Sequence, residues 1–417
     1  MTAAHHTSRM LHHCQGCGAD TLESVLFIGM VTPVNTMPTI GGPGGEEPAY
    51  PLELLRCTSC GLAQINCEVD ASVLFPYSYP YLTGSTRILR ENFADLCVKM
   101  TPRVPLNPGD LVIDVGSNDG TLLSNFQNAG FRVLGIEPSQ AGALANERGI
   151  PTRIDYFTAE TAAAVLAEHG PAKLVTATNV FAHIANVHDV IAAIVSLLAP
   201  DGVFTNESHY LGGLLATVQY DTIYHEHLRY YHLGALIPLL ARHGLEVFHV
   251  EKIPSHGGSI RVSAARTGQK PIDASVAAML AEERAQGLMD GSGFKTFRDR
   301  VAKSKRDLYS LIAPLRAAGA RIVGIGAPSR ASTLINYCGL DDQIIEAVLE
   351  ISTSNKLNKY MPGTRIPVLD EKLLFETQPE YAFLMSWHIA DELIANLRRK
   401  GYRGKFIVPL PEPHIVA

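Results

Sequence analysis

The chain has 417 residues, 46% of them hydrophobic and 18% charged, with a net charge of −6; at about 150 residues per domain this supports two or three globular units. No block of Lys and Arg is present to track a phosphate backbone or an anionic lipid surface, which argues against nucleic-acid and membrane partners. The opening MTAAHHTSRMLHHC lacks the apolar stretch of a signal peptide and no run of about 18 apolar residues occurs, so a soluble cytoplasmic protein is expected.

The first segment, residues 1–75, is rich in Cys, Gly and Pro, and GGPGGEEP (41–48) reads as a loop. Little core is expected here, so something else must hold the segment. Two C-x-x-C pairs offer that: Cys14 with Cys17, and Cys57 with Cys60. Four thiolates suit tetrahedral Zn²⁺, and a closed four-sulfur set leaves no open position, so the metal is expected to be structural. A redox dithiol or chance pairing is the competing reading. Cys67, Cys97 and Cys338 read as ordinary buried thiols, and an odd total of seven argues against a disulfide framework.

From about residue 110 short apolar runs (LVIDV, FRVLGIE, KLVTATN, GVFTNES) alternate with helical stretches, the pattern of a doubly wound α/β sheet. The first run leads into a glycine-rich turn, Asp114-Val-Gly116-Ser-Asn118-Asp119-Gly120, at the strand's carboxyl end, where open α/β sheets bind ligands. Glu137, ending the second run, is placed to take two ribose hydroxyls. Asp155, Tyr156 and Phe157 follow the third strand and offer an acid and aromatic faces for a purine; Asn179 ends the fourth. Asp119 stands where a pyrophosphate would be repelled, so a cationic, zwitterionic nucleoside fits better than a dinucleotide. S-adenosylmethionine is the expected cofactor.

After the fifth strand comes YDTIYHEHLRYYH (220–232). As a metal site it would pair His225 with His227 and need a third ligand, from His183 or His209; as a proton-transfer site it needs one histidine, a carboxylate to fix its tautomer, and a tyrosine facing an oxyanion. His256 and Gly257 lie in a turn that reads equally as a tight turn or a substrate contact, and His243 and His249 read as structural. A helical region then leads into a second strand and helix series, beginning with Gly324-Ile-Gly326-Ala-Pro-Ser-Arg330. Arg330 and Ser332 near a helix start, with Lys356 further on, are candidates for holding phosphate; a purely structural Rossmann-like unit is the alternative.

Taken together, the C-x-x-C pairs, VGSNDG, NVFAHI, Y-x-E-H, HGGSIR, GIGAPSRAST and PGTRIPV resemble the three-domain C-methyltransferases that act on nucleotide-linked keto sugars. The resemblance runs through nearly the whole chain. It implies a zinc-binding domain (1–75), a class I methyltransferase domain (76–272), and linker helices with a Rossmann-like domain (273–417), the nucleotide sugar lying between the last two. By position it implies catalytic roles for Tyr224, Glu226 and His227, with His183 and Tyr79 nearby; His225 falls on the variable position, and Arg330 on one where lysine also occurs. The implied reaction is methylation of a carbon next to the ketone of an NDP-sugar, most naturally a dTDP-sugar: His227, oriented by Glu226, removes the proton, and Tyr224 stabilises the enolate. The rivals are a methyltransferase acting on oxygen or on a non-sugar acceptor, a metal-dependent hydrolase using the histidine run, and a non-catalytic nucleotide-sugar binder. A monomer or small homo-oligomer is expected.

Overall fold

A computed structural model describes residues 8–42, 47–75 and 82–417; Tyr79 and part of the 41–48 loop lie outside them. The N-terminal strands are β1 (Ser8–Met10), β2 (Leu22–Val31), β3 (Tyr50–Cys57), β4 (Ala63–Ile65) and β5 (Cys67–Val69). They do not depend on a metal staple alone. Leu52, Leu54 and Ile65 are fully buried, in a cluster that continues into Tyr220 and Ile223 and on to Leu334 and Ile335 of the C-terminal unit. The expectation of a nearly coreless segment is thus corrected: its core is shared with the rest of the chain.

The middle sheet contains β6 (Leu111–Val115), β7 (Arg132–Ile136), β8 (Thr152–Arg153), β9 (Ala172–Thr178), β10 (Leu198–His209), β12 (Leu245–Ile253) and β13 (Ser259–Arg266). Their order is β8-β7-β6-β9-β10-β13-β12, with β13 antiparallel to both neighbours. Numbered within the domain this is 3-2-1-4-5-7-6 with strand seven reversed, the class I methyltransferase sheet. Helices Thr121–Asn128, Gln140–Glu147, Ala159–His169 and Val187–Leu197 form the crossovers. Ser139 and Thr158 cap the second and third of these by accepting from backbone amides of their first turns. Helix Arg87–Arg103, which the sequence pattern did not single out, buries Phe93, Leu96 and Met100 against the sheet.

Helices Ala274–Ala285 and Ser292–Ala317 lead to the last sheet: β14 (Ile322–Ile325), β15 (Val348–Glu350), β16 (Lys359–Tyr360), β17 (Pro367–Asp370), β18 (Tyr381–Leu384), β19 (Lys405–Val408) and β20 (His414–Val416). Its order is β16-β17-β15-β14-β18-β19-β20, parallel at the centre with antiparallel edges. Among the described residues no helix is long and apolar enough to cross a membrane.

One connection matters most for the site. The run 220–232 leaves the middle sheet after β10 and contains β11 (Arg229–Tyr230), which pairs not with that sheet but with β4 of the N-terminal one, Arg229 opposite Gln64 and Tyr230 opposite Ala63. Sequence order assigns β11 to the methyltransferase domain; its hydrogen bonds assign it to the first sheet.

Candidate active site and metal centre

The two cysteine pairs form matching knuckles. In each, the residue after the second cysteine is a glycine at left-handed φ (Gly18 +78°, Gly61 +79°) whose amide donates to the carbonyl of the first cysteine, Cys14 or Cys57. That conformation is one only glycine adopts without strain. The four sulfurs lie within 4.8 Å of one another, with Cys14–Cys60 at 3.5 Å and Cys17–Cys57 at 3.6 Å. A tetrahedral site with Zn–S bonds of about 2.3 Å has edges of about 3.8 Å, so the donor set fits zinc. The Cys60 hydrogen bond, working against burial, pulls Cys14 down to about 5, while Cys60 is pushed far up. Four crowded sulfurs cannot all ionise unaided; a dication supplies the missing charge. Among the described residues this is the one group whose ligand atoms converge for a metal.

At the carboxyl edge of the middle sheet, Gly116 has φ +71°, and a Cβ on it would sit 2.4 Å from Val180 Cγ2. Glu137 closes the turn from the next strand: its carboxylate accepts from the Asn118 amide at 3.1 Å and the Ser139 amide at 2.9 Å. Tyr156 is exposed and Phe157 half-buried on the same edge, and Asp155 accepts from the Tyr156 amide and Thr161. Asn179 holds a left-handed φ of +57°, its amide bonded to the Glu207 carbonyl at 2.7 Å. A glycine cradle, an acid after the second strand and aromatic faces after the third suit S-adenosylmethionine. Gly116→Ala is expected to destabilise the fold by about 1–3 kcal/mol and weaken the cofactor about tenfold, measured by thermal unfolding and calorimetric titration; unchanged affinity would remove Gly116 from the site.

Two acids of this edge have internal roles. Asp114 is 2% exposed, accepts from Thr176 at 2.6 Å, and is pushed up to about 7 by burial, with Glu137 and Glu207 adding to the rise. Asp119 accepts from Thr83, the Gly84 amide, Thr121 and Arg148. Burial alone would raise its pKa; those donors outweigh it and hold the carboxyl below its usual range. The ionised carboxylate thus also ties residues 83–84 to the turn.

The histidine run packs against the loop that follows β9. His227 and Tyr224 are half-buried, with ring centroids 4.3 Å apart and the Tyr224 hydroxyl 3.3 Å from His227 Nε2. His227 Nδ1 lies 3.1 Å from the Thr222 carbonyl. A carbonyl only accepts, so Nδ1 carries the proton and Nε2 keeps its lone pair. Burial, reinforced by His183 and His209, holds this imidazole well below its ordinary pKa, hence neutral. His183 packs 4.9 Å away, centroid to centroid, donates from Nδ1 to the Glu226 carbonyl at 2.7 Å, and is pushed down to about 4, chiefly by burial. Glu226 does not orient His227 through its carboxylate: Thr222 does so, and Glu226 Oε1 accepts from Asn35 Nδ2 at 2.6 Å. His225 is buried, donates to the Pro51 carbonyl and packs on Tyr50, away from the other two rings. His256, at φ +55°, and His209 lie close enough to act electrostatically on His227.

The C-terminal candidates divide. Lys356 Nζ donates to the Ala327 carbonyl at 2.6 Å, and burial lowers its pKa against the pull of Glu350 and Glu226. Ser332 is 1% exposed inside helix Ser329–Cys338, where its hydroxyl accepts from Asn336 Nδ2. Arg330 is committed to a bidentate ion pair with Asp221 at 2.7 and 2.8 Å. In this arrangement both side chains are engaged by protein groups. Sequence reasoning missed Asn35, Asp221, Arg229 and Glu350. Arg229, 1% exposed, binds the carbonyls of Phe181, Ile184 and Ala185 and so fixes the loop bearing His183. Glu350 ends the second strand of its sheet and accepts from Ala327 in the first turn, the position and bond that Glu137 has in the middle sheet; that parallel was readable in the sequence.

Three family models match in series: "Putative zinc binding domain" over residues 14–75, "Methyltransferase domain" over 86–250 and "C-methyltransferase C-terminal domain" over 254–411. The C-methyltransferase NovU of Streptomyces niveus is 36% identical over 415 residues, covering 98% of each chain. Among solved structures, an S-adenosylmethionine-dependent methyltransferase from Anabaena variabilis is 20% identical, covering 45% of this chain and 88% of its own, with a TM-score of 0.35. The CcbJ methyltransferase from Streptomyces caelestis is 16% identical over 46% of this chain and 92% of its own, with a TM-score of 0.34.

Proposed function

Since this chain belongs to the family of S-adenosylmethionine-dependent C-methyltransferases with an N-terminal zinc-binding domain, we propose that its acceptor is a nucleotide-linked keto-deoxysugar, methylated at the carbon beside the ketone. Transfer to carbon leaves no room for the oxygen-methylating, hydrolytic and non-catalytic readings. The observation that carries the proposal is the His227 ring: Nδ1–H donates to the Thr222 carbonyl, and Nε2 accepts from the Tyr224 hydroxyl at 3.3 Å, so the lone pair of the base and the phenol that would donate to an oxyanion face each other.

His227 Nε2 takes the proton from the carbon next to the ketone, and the C–H electron pair becomes an enolate. Tyr224, whose pKa burial and Glu226 push well above 10, stays protonated and donates to the enolate oxygen. When bound, S-adenosylmethionine supplies an electrophilic methyl group to the nucleophilic carbon. Burial likewise pushes the neighbouring imidazoles down, His183 to about 4 and His209 to about 3. Glu226, held by Asn35, sets the backbone carbonyl that orients His183. Lys356, whose Nζ is bonded to the Ala327 carbonyl of the C-terminal turn, is the residue assigned to the diphosphate.

The test separates proton removal from methyl transfer. In D₂O without S-adenosylmethionine, a panel of thymidine-diphosphate keto sugars should exchange deuterium into one position adjacent to the ketone; adding the cofactor should place the methyl on that carbon. Tyr224→Phe should slow the exchange by about 100-fold, the usual loss for one oxyanion donor. Methyl transfer with no exchange at that carbon would sink the enolate reading, and exchange at full rate in Tyr224→Phe would remove Tyr224 from it.

A further inference from the structure

Arg330 comes from the C-terminal domain yet spends its hydrogen bonds on the catalytic loop. It is 7% exposed; Nε and Nη2 form a fork on Asp221 at 2.7 and 2.8 Å, and Nη2 also donates to Gln219 Oε1 at 3.1 Å. Trp387 donates to the same carboxylate at 2.8 Å and stacks 5.0 Å from the guanidinium, so Asp221, which is fully buried, is gripped from two sides. One helical turn on, Thr333 Oγ1 donates to the Ile223 carbonyl at 3.0 Å. Residues 219–223 are thus held by two side chains of helix Ser329–Cys338, three positions apart.

What this loop carries gives the grip its meaning. The residue after Asp221 is Thr222, whose carbonyl fixes the Nδ1–H tautomer of His227 and also accepts from Tyr230 at 3.2 Å. Gln219, the other residue bonded to Arg330, donates from Nε2 to the Gly257 carbonyl at 2.8 Å. Gly257 sits at φ +84° so close that a Cβ would lie 2.7 Å from Gln219 Oε1, and it follows His256 in the turn. A single guanidinium therefore braces both the carbonyl that orients His227 and the turn that presents His256. Its charge is matched by Asp221, and its remaining donor, Nη1, lies 3.3 Å from His388 Nδ1.

We propose that Arg330 is a positioning residue: through Asp221 and Gln219 it lets the C-terminal domain set the tautomer of His227 and the pose of His256, and it is not the ligand of the substrate's phosphates. The role rests on the reading of His227 as the base, but its test does not. In full-length, zinc-loaded protein labelled with ¹⁵N-histidine, with His227 signals assigned by their loss in His227→Gln, the ring should be the Nδ1–H tautomer. Arg330→Lys keeps the charge and loses the fork, and Asp221→Asn keeps the shape and loses the charge. Each should move the two ring-nitrogen signals of His227 towards a common, averaged value. Thr333→Val, which alters no charge, should do so more weakly, and it decides the matter should the buried-pair variants fail to fold. Thymidine diphosphate should bind the unsubstituted and Arg330→Lys proteins with affinities within about twofold.

Unmoved His227 signals in the folded variants would overturn the proposal. So would at least a tenfold weakening of thymidine diphosphate by Arg330→Lys, which would return Arg330 to the phosphate. If His227→Gln keeps full activity while Arg330→Lys still shifts the tautomer of His227, the base assignment fails and the positioning role stands.

Discussion

His227→Ala is expected to lower kcat/KM by about 10⁴-fold, the upper end of what a positioned general base contributes, and to abolish deuterium exchange beside the ketone. The affinity for S-adenosylmethionine should not change, because the cofactor candidates lie on the turns after β6, β7, β8 and β9 and not on the 220–232 run. The pH profile gives a second reading with a definite sign. Burial, with His183 and His209 adding to it, places the pKa of His227 well below 6.5, so the ring is neutral at pH 8 and remains so as the pH falls past 6.5. The acid limb of kcat/KM should therefore lie below 6.5, where an unperturbed histidine would already be losing its lone pair. An acid limb centred at or above 6.5, or an alanine variant with near-normal turnover, would rule His227 out as the base. The neighbouring His225→Ala, which removes a bond to the Pro51 carbonyl, should change stability more than rate.

The second large effect is on the fold. Replacing Cys14 and Cys57 together by serine takes one sulfur from each knuckle and should reduce bound zinc from about one ion per chain to near zero by elemental analysis. Structural zinc sites contribute about 10–16 kcal/mol in small peptides, against a total domain stability of about 5–15 kcal/mol, so the N-terminal sheet is expected to unfold. The damage should reach the histidine run. His232, fully buried, joins the Gly61 carbonyl of the second knuckle to Glu283 of helix Ala274–Ala285, and β11 is hydrogen-bonded to β4. Methyl transfer should fall with zinc content, whereas a mild chelator, unable to extract a closed four-thiolate ion, should leave it intact. A variant that binds no zinc but turns over normally would show the knuckles to be dispensable.

The parts of this architecture that could be read from the chain were those whose signal is local. Strand, glycine turn and acid follow one another within about 25 residues from Leu111 to Glu137, and each C-x-x-C pair specifies its own turn. The N-terminal sheet was hidden because β2 does not keep a period of two: its register slips between Ser24 and Leu26 and again between Phe27 and Gly29, and its buried pattern reads neither as strand nor helix. The partner of Arg330 was hidden for a different reason. A helix start with an arginine looks the same in sequence whether that arginine meets a phosphate or a carboxylate 109 residues away, and only the fold brings Asp221 to it. The orienting group on His227 is a backbone carbonyl, Thr222, which every residue type possesses and no sequence pattern marks. Glu226 was the natural choice among side chains; its partner Asn35 comes from another domain, 191 residues distant.

The pairing of β11 with β4 bears on how members of such a family can exchange parts. Chimeras are usually cut where one domain's sequence ends and the next begins, here near residue 75 or 110. A cut there would leave Arg229 and Tyr230 facing a foreign β4, and with them the guanidinium that fixes the His183 loop. The natural crossover unit is therefore discontinuous: a donor N-terminal domain should travel with its own 220–232 segment. Acceptor preference, if it resides in that segment, would then be inherited with the metal-binding domain instead of the cofactor-binding one.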